Sequence, residues 1–322
     1  HNPPEYNGYK VYWEDGAQIT APKDKQIITE VLNVTDFNTV KTMDKEAAKA
    51  AGLYNVIGSD LDDAYIAELK KQIVNPDVIK EMGKTMTVVY TPLHGTGNIP
   101  ARRVLKEIGF ENVYVVPEQE LPDGNFPTVS YPNPEDPAAF TLALKLAKEK
   151  NADVVLATDP DADRLGVYAK DSKTGEYVSF TGNMSGMLIA EYLLSQKKAK
   201  GLIPANGALV KTIVSTNMAD AVAKEYNLKL IEDLSISESR LSSSSSSIPM
   251  SICSASRRAM AVLSEHMQGI RMPSLLLWLC VRQQHTTRSR DLLSGIRWSI
   301  SMRNTAITEK DLSQSHSRAL RV

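Results

Sequence analysis

The sequence predicts a mixed α/β protein built from consecutive units of sheet and helix. Between residues 85 and 231, short apolar strands alternate with helical segments, an order that favours mainly parallel sheets with helices on their faces. Turn residues such as glycine and proline separate these segments. The chain has 322 residues, of which 42% are hydrophobic and 23% charged, an ordinary composition for a globular protein of two or three domains.

Residues 1–80 form the first predicted unit, which contains more loop and helix than strand. We expect a short strand around Tyr9–Trp13, a helix over Asp24–Leu32, and a helix over Ser59–Val74 that has apolar residues at helical spacing. Either Ser59 or Asp60 is expected to cap that helix. A linker is expected to begin at Asn75.

Two further units follow, over residues 81–180 and 181–232. In the first, we predict strands at Met86–Tyr90, Val113–Val116, Ala152–Ala157 and Leu165–Ala169, with helices at Ile99–Ile108 and Pro137–Lys150. In the second, we predict helices at Met184–Leu194 and Asn217–Tyr226, and strands at Gly207–Ile213 and Leu228–Ile231.

A loop rich in carboxylates follows the strand that ends at Ala157. Asp159, Asp161 and Asp163 occupy alternate positions there, and Arg164 comes next. Oxygen ligands from a curled loop suit Mg²⁺, and an arginine can bind a phosphate through two hydrogen bonds. A solvated acidic loop and a calcium loop are the alternatives. The arginine, and the absence of a glutamate at EF-hand spacing, favour a magnesium site that handles phosphate.

Two weaker motifs stand elsewhere in the chain. The sequence from His1 to Lys10 includes His-Asn-Pro and Asn-Gly-Tyr-Lys, and by itself it reads as a polar loop. The second motif, His94 to Gly97, lies between a predicted strand and a predicted helix. Its glycines and the helix N-terminus suit an anion, although a tight structural turn explains the pattern equally well.

Taken together, these motifs resemble those of the α-D-phosphohexomutase superfamily, and within it the phosphoglucomutase-like phosphosugar mutases. The family loop T-A-S-H-N-P, with a later N-G-x-K, is similar to His1–Pro3 and Asn7–Lys10. The family motifs T-P-L-H-G-T-G and D-x-D-x-D-R match Thr91–Gly97 and Asp159–Arg164. The resemblance extends to about residue 232. Because T-A-S is missing, we expect the chain to begin just after the catalytic serine.

The resemblance implies a fragment of a four-domain enzyme with phosphohexomutase-type α/β/α domains. Residues 1–80 would be the end of domain I, residues 81–180 domain II, and residues 181–232 the start of domain III. The implied reaction interconverts glucose 1-phosphate and glucose 6-phosphate through a phosphoserine, with glucose 1,6-bisphosphate as intermediate and activator. Mannose and pentose phosphates are alternative substrates, and a non-catalytic remnant that binds metal or sugar phosphate is another alternative. Without the serine, we expect no turnover.

The resemblance also implies roles for individual residues. Asp159, Asp161 and Asp163 would bind Mg²⁺. The catalytic residues would be His1, Lys10 and Arg164. His94, Gly95 and Thr96 would bind the substrate.

The predicted partners are sugar phosphates, and the parent enzyme is expected to be a cytoplasmic monomer. A net charge of -1 gives no reason to expect nucleic acid. No apolar run approaches the roughly 20 residues that span a bilayer, so no membrane partner is expected. The chain has 2 cysteines, which fits a reducing compartment.

The last segment, residues 233–322, departs from the rest in composition. Serines fill every position from Ser242 to Ser247, and arginine almost entirely replaces lysine. We predict a disordered, frame-shifted translation of domain III. Read in one shifted frame, Cys253–Ala261 can encode F-G-F-E-E-S-Y-G, which resembles the sugar-binding motif of the family, and further segments up to Ala319 also read as family sequence. A basic nucleic-acid arm is the alternative, but no stacking aromatics are regularly spaced.

Overall fold

Two β-sheets with helices packed against them make up the part of the chain that the structure describes. The computed structural model describes residues 11–14, 19–213, 215–233, 252–255 and 261–263. The predicted catalytic residues His1 and Lys10 lie outside these ranges, and so do the first two residues of the predicted strand at Tyr9–Trp13. Within them, no helix is both long enough and apolar enough to cross a bilayer.

The N-terminal part is helical. It contains helices α1 (Lys23–Asn33), α2 (Lys45–Ala50), α3 (Ser59–Lys71) and α4 (Pro76–Met82), with a 3₁₀ turn at Phe37–Thr39. Neither α1 nor α2 buries a residue, whereas α3 buries Ile66 and Leu69.

Two predictions for this region are wrong. The residue that caps α3 is Gly58, which forms no side-chain capping bond. Helix α4 occupies the predicted linker, because a proline is compatible with the first turn of a helix.

The first sheet has the strand order β2-β1-β3-β4-β5. Its strands are β1 (Thr87–Thr91), β2 (Asn112–Val115), β3 (Val154–Thr158), β4 (Leu165–Lys170) and β5 (Tyr177–Phe180). Helices α5 (Asn98–Ile108), α6 (Pro117–Glu120) and α7 (Thr141–Lys150) connect them, and a 3₁₀ turn at Pro137–Phe140 precedes α7.

Only part of the first sheet is parallel. Strand β1 pairs in parallel with β2 and β3, but β4 is antiparallel to both β3 and β5. The expectation of a mainly parallel sheet therefore holds for three strands. The connections β3–β4 and β4–β5 are too short for a parallel crossover, so these pairs are antiparallel.

The second sheet follows helix α8 (Gly182–Ala199) and has the order β7-β6-β8-β9. It contains β6 (Ala208–Thr212), β7 (Lys229–Asp233), β8 (Ile252–Ala255) and β9 (Ala261–Leu263), and helix α9 (Met218–Glu225) joins β6 to β7. Strand β6 is parallel to β7 and β8, while β9 is antiparallel to β8, as in the first four strands of the other sheet.

Strands β8 and β9 fall in the segment that we predicted to be disordered. The prediction of disorder is wrong for these two strands, because their backbones continue the ladder that begins at β6. The run of serines lies outside the described residues, and so do residues 264–322. The frame-shift hypothesis stays a prediction.

The main hydrophobic core is shared by the two sheets. Helix α8 contacts β4 and β5 of the first sheet, and β8 and α9 of the second. One continuous cluster includes Val88 and Leu156 of the first sheet, Met187 of α8, and Leu209 of the second. A second cluster, which includes Phe140, covers the opposite face of β1 and β3. Burial on both faces fixes β3 and the loop that follows it.

Candidate metal centre

Three carboxylates meet where strand β3 ends. Asp159, Asp161 and Asp163 each offer one oxygen, and these oxygens lie within 4.8 Å of one another. Asp159 is fully buried and Asp163 is 7% exposed, while Asp161 is partly buried. The structure therefore brings together the three residues that the alternating spacing selected.

The loop is curled by hydrogen bonds to Asp159. Its Oδ1 accepts hydrogen bonds from the backbone N–H groups of Asp163 and Arg164, both at 2.9 Å. Its carbonyl accepts from the N–H of Ala162, also at 2.9 Å, and Ala162 adopts a left-handed conformation with φ 55°. These contacts turn the chain so that alternate carboxylates converge.

The electrostatics of this cluster favour a cation. At the 4.8 Å limit, two carboxylate charges repel by about 3 kcal/mol at an effective dielectric constant of about 20. Burial, together with the charges of Asp163 and Asp161, raises the pKa of Asp159 to about 8, although the Arg164 N–H opposes this rise. When all three carboxyl groups are ionised, the cluster and the guanidinium of Arg164 together carry two negative charges, which a divalent cation would balance.

Arg164 lies beside the cluster. Its Nε is 3.7 Å from Asp159 Oδ2, and its Nη1 donates to Asn133 Oδ1 at 3.4 Å. An alanine Cβ at Gly166 would lie 2.3 Å from the carbonyl oxygen of Pro134, so the glycine permits the close approach of the loop that carries Asn133. No sequence motif indicates a role for Asn133, since it lies in a proline-rich loop far from Arg164 in sequence.

Gly95 and Thr96 also contact the loop that carries the three aspartates, residues 159–164, which we call the metal loop. The backbone N–H of Thr96 donates to the Pro160 carbonyl at 2.8 Å, and its hydroxyl donates to the same oxygen at 3.0 Å. At Gly95, an added Cβ would lie 2.4 Å from the Cα of Pro160. Two of the three predicted substrate-binding residues therefore hold the backbone between Asp159 and Asp161.

His94 lies next to this contact, but it is 6% exposed. Its Nδ1 is 3.0 Å from the carbonyl of Leu121, and its Nε2 is 2.9 Å from Thr128 Oγ1. Both ring nitrogens therefore have protein partners. The motif around His94 does not predict these partners, because Leu121 and Thr128 follow α6, 27 and 34 residues after His94 in sequence.

Two family models match the chain. The model described as phosphoglucomutase/phosphomannomutase, alpha/beta/alpha domain II, matches residues 63–174. The model of domain I of the same family matches residues 1–37. The first match contains the carboxylate cluster, Arg164 and the His94 loop.

Several curated proteins are similar in sequence. A Haemophilus influenzae protein named "Probable phosphomannomutase" is 37% identical over 237 residues, which cover 73% of this chain and 45% of the relative. Human phosphopentomutase is 37% identical over 201 residues, covering 62% of this chain and 32% of the relative. A Staphylococcus saprophyticus phosphoglucomutase is 32% identical over 230 residues, covering 71% and 40%. The chain thus spans less than half the length of each.

Solved structures show the same fold. A protein from Thermus thermophilus has a TM-score of 0.55 at 19% identity, covering 77% of this chain and 52% of that structure. A phosphoglucomutase/phosphomannomutase family protein from Burkholderia thailandensis has a TM-score of 0.50 at 20% identity, covering 69% and 46%.

Proposed function

Because this chain belongs to the α-D-phosphohexomutase superfamily, we propose that it carries the metal-binding part of a phosphosugar mutase, specifically a phosphoglucomutase. The reaction would interconvert glucose 1-phosphate and glucose 6-phosphate through glucose 1,6-bisphosphate. The observation that carries this proposal is the buried cluster of three carboxylates, with an arginine beside it, after a central strand.

The side chains of the cluster fit Mg²⁺. All three offer carboxylate oxygens, the type of ligand that this cation prefers, and their negative charges are only partly balanced by Arg164. In this proposal Asp159, Asp161 and Asp163 hold the cation. When bound, it would supply positive charge to the oxygens of a phosphoryl group.

The remaining site residues would bind and orient phosphate. Arg164 offers a planar guanidinium that matches two phosphate oxygens, and Asn133 and Asp159 limit its orientation. Gly95 and Thr96 would keep the loop in place through Pro160. Lys10, as the proposed acid or base, would take or return the proton of the reacting sugar hydroxyl.

Three sugars are candidates for the substrate, namely glucose, mannose and ribose. Relatives of similar identity are named phosphomannomutase and phosphopentomutase, so mannose and ribose phosphates are the alternatives to glucose phosphate. We expect glucose 1-phosphate, in the presence of Mg²⁺, to raise the melting temperature more than mannose 1-phosphate or ribose 1-phosphate. A larger rise with either of the other two would reassign the substrate, and no rise with any of them would contradict sugar-phosphate binding.

Calorimetric titration with MgCl₂ tests the metal site directly. Asp161→Asn keeps the shape of a partly buried side chain but removes its charge, so we expect the heat of binding to disappear. Asp77→Asn is the matched control, because Asp77 is an exposed residue in the first turn of α4. Equal affinities of Asp161→Asn and the unmodified chain would overturn the metal assignment.

A further inference from the structure

We infer that His94 is a positioning residue for the metal loop, held by a chain of hydrogen bonds in which its Nδ1 carries a proton. This inference rests on the proposed function, since the loop it positions is the proposed Mg²⁺ site. In this inference the His94 ring acts by holding the metal loop in place, whereas the family resemblance implies that His94 binds the substrate.

The direction of each hydrogen bond follows from groups that can only donate or only accept. The Leu121 carbonyl can only accept, so His94 Nδ1 donates to it across 3.0 Å. The backbone N–H of Leu93 donates to Thr91 Oγ1 at 3.1 Å. The Thr91 hydroxyl then donates to Gln119 Oε1 at 2.7 Å.

The chain of hydrogen bonds ends at the other ring nitrogen of His94, Nε2. The side-chain amide of Gln119 donates to Thr128 Oγ1 at 3.1 Å. His94 Nε2 lies 2.9 Å from the Thr128 hydroxyl. In a neutral ring whose Nδ1 donates to the Leu121 carbonyl, Nε2 carries no proton and accepts from that hydroxyl.

These bonds hold a backbone conformation that is unusual for residues other than glycine. Leu93 and His94 have φ angles of 46° and 61°, in the left-handed region. The backbone N–H of His94 also donates to the Gln119 carbonyl at 3.0 Å. Surrounding contacts must maintain such a turn, and those of the His94 side chain are among them.

The turn at Leu93 and His94 places the next two residues, Gly95 and Thr96, in contact with the metal loop. Gly95 packs directly against Pro160, and Thr96 donates two hydrogen bonds to the Pro160 carbonyl. Pro160 stands between two proposed ligands, Asp159 and Asp161. The imidazole is thereby connected to the carboxylate cluster without contacting it.

Replacement of the bridging hydroxyl tests this role in the full chain. Thr128→Val is nearly isosteric but leaves His94 Nε2 and the Gln119 amide without a partner. We expect Mg²⁺ affinity to fall about tenfold, as for other residues that orient metal ligands. Thr128→Ser keeps the hydroxyl and should bind Mg²⁺ with the affinity of the unmodified chain.

A matched control separates positioning from loss of stability. Tyr177 donates to the carbonyls of Ala147 and Ala152, at 2.9 and 2.8 Å, and neither alanine belongs to the chain of hydrogen bonds. Tyr177→Phe also removes one partly buried hydroxyl, and it should leave Mg²⁺ affinity unchanged. Equal losses of affinity in Tyr177→Phe and Thr128→Val would overturn the positioning role.

The tautomer is measured by ¹⁵N NMR, with the signals of His94 identified by their loss in His94→Asn. In the neutral ring, a proton on Nδ1 and none on Nε2 are expected, and a neutral ring with its proton on Nε2 would overturn the inference. If Asp161→Asn abolishes Mg²⁺ binding but Thr128→Val does not weaken it, the positioning role fails and the metal site stands. If Asp161→Asn binds normally, the metal site fails, and the positioning role fails with it.

Discussion

Gly95→Ala should damage the metal loop although it adds a single methyl group. The new Cβ would lie 2.4 Å from Pro160 Cα, 2.6 Å from Pro160 O and 2.8 Å from Pro160 C. Ordinary contact begins at 3.4 Å, so the two backbone segments must separate by about 1 Å. All three atoms belong to the backbone, and no flexible side chain can absorb the shift.

The magnitude follows from the size of this displacement. Overpacking of this kind costs about 1–3 kcal/mol, which corresponds to a fall in melting temperature of about 1.5–4.5 °C for a chain of this size. A shift of about 1 Å is half the length of a Mg²⁺–oxygen bond. We therefore expect Mg²⁺ affinity to fall at least about tenfold.

Thermal denaturation and calorimetric titration with MgCl₂ measure the two effects. Gly124→Ala is the control, because an added Cβ there would meet no atom within 4 Å. Gly124→Ala should match the unmodified chain in both measurements. Unchanged Mg²⁺ affinity in Gly95→Ala would refute the argument that the Gly95–Pro160 contact sets the geometry of the metal loop.

The other predictions concern buried polar groups. The side chain of Lys211 is 2% exposed and pairs with Asp220 and Glu232, both at 2.9 Å. Asp220→Ala or Glu232→Ala alone should lower the free energy of unfolding by less than about 1 kcal/mol, because the other carboxylate remains. The double variant leaves Lys211 unpaired and should lower it by about 3 kcal/mol, measured by urea denaturation. Burial opposes the charge of Lys211, yet the hydrogen bonds that Lys211 donates to both carboxylates outweigh this effect and raise the pKa of Lys211. Stability should therefore be lost as pH rises above about 10.4 through the folded-state pKa, and the loss should be smaller in Lys211→Met. Tyr90→Phe leaves the buried Thr158 hydroxyl without its 2.8 Å partner and should cost about 1–3 kcal/mol, and an unchanged melting temperature would contradict this.

Local patterns in the sequence predicted the central elements well. The apolar runs at β1 and β3 are buried on both faces, which is why they appear as continuous hydrophobic segments. The alternating spacing predicts correctly that the aspartates are neighbours, because short-range hydrogen bonds to Asp159 curl the loop that joins them. Asn75 and Pro76 predict a break in structure, whereas Pro76 is the first residue of helix α4.

Contacts between segments distant in sequence could not be predicted from spacing. The partners of the His94 ring and of Arg164 lie in a loop whose residues show no periodicity. Their positions depend on how α6 and the following loop pack against His94 and Arg164. A sequence motif indicated that His94 matters, but only the tertiary fold shows which atoms surround its ring.

Helix α8 has a consequence for how the protein folds. Its buried residues, among them Met187, Ile189 and Tyr192, contribute to a core that includes strands of both sheets. If either sheet opens, one side of this helix loses its cover, and burial of its apolar groups is a large part of the stabilising free energy. The two sheets should therefore unfold as one cooperative unit, and a destabilising change in β6 or α9 should also increase the transient opening of the metal loop, although neither element contains a ligand.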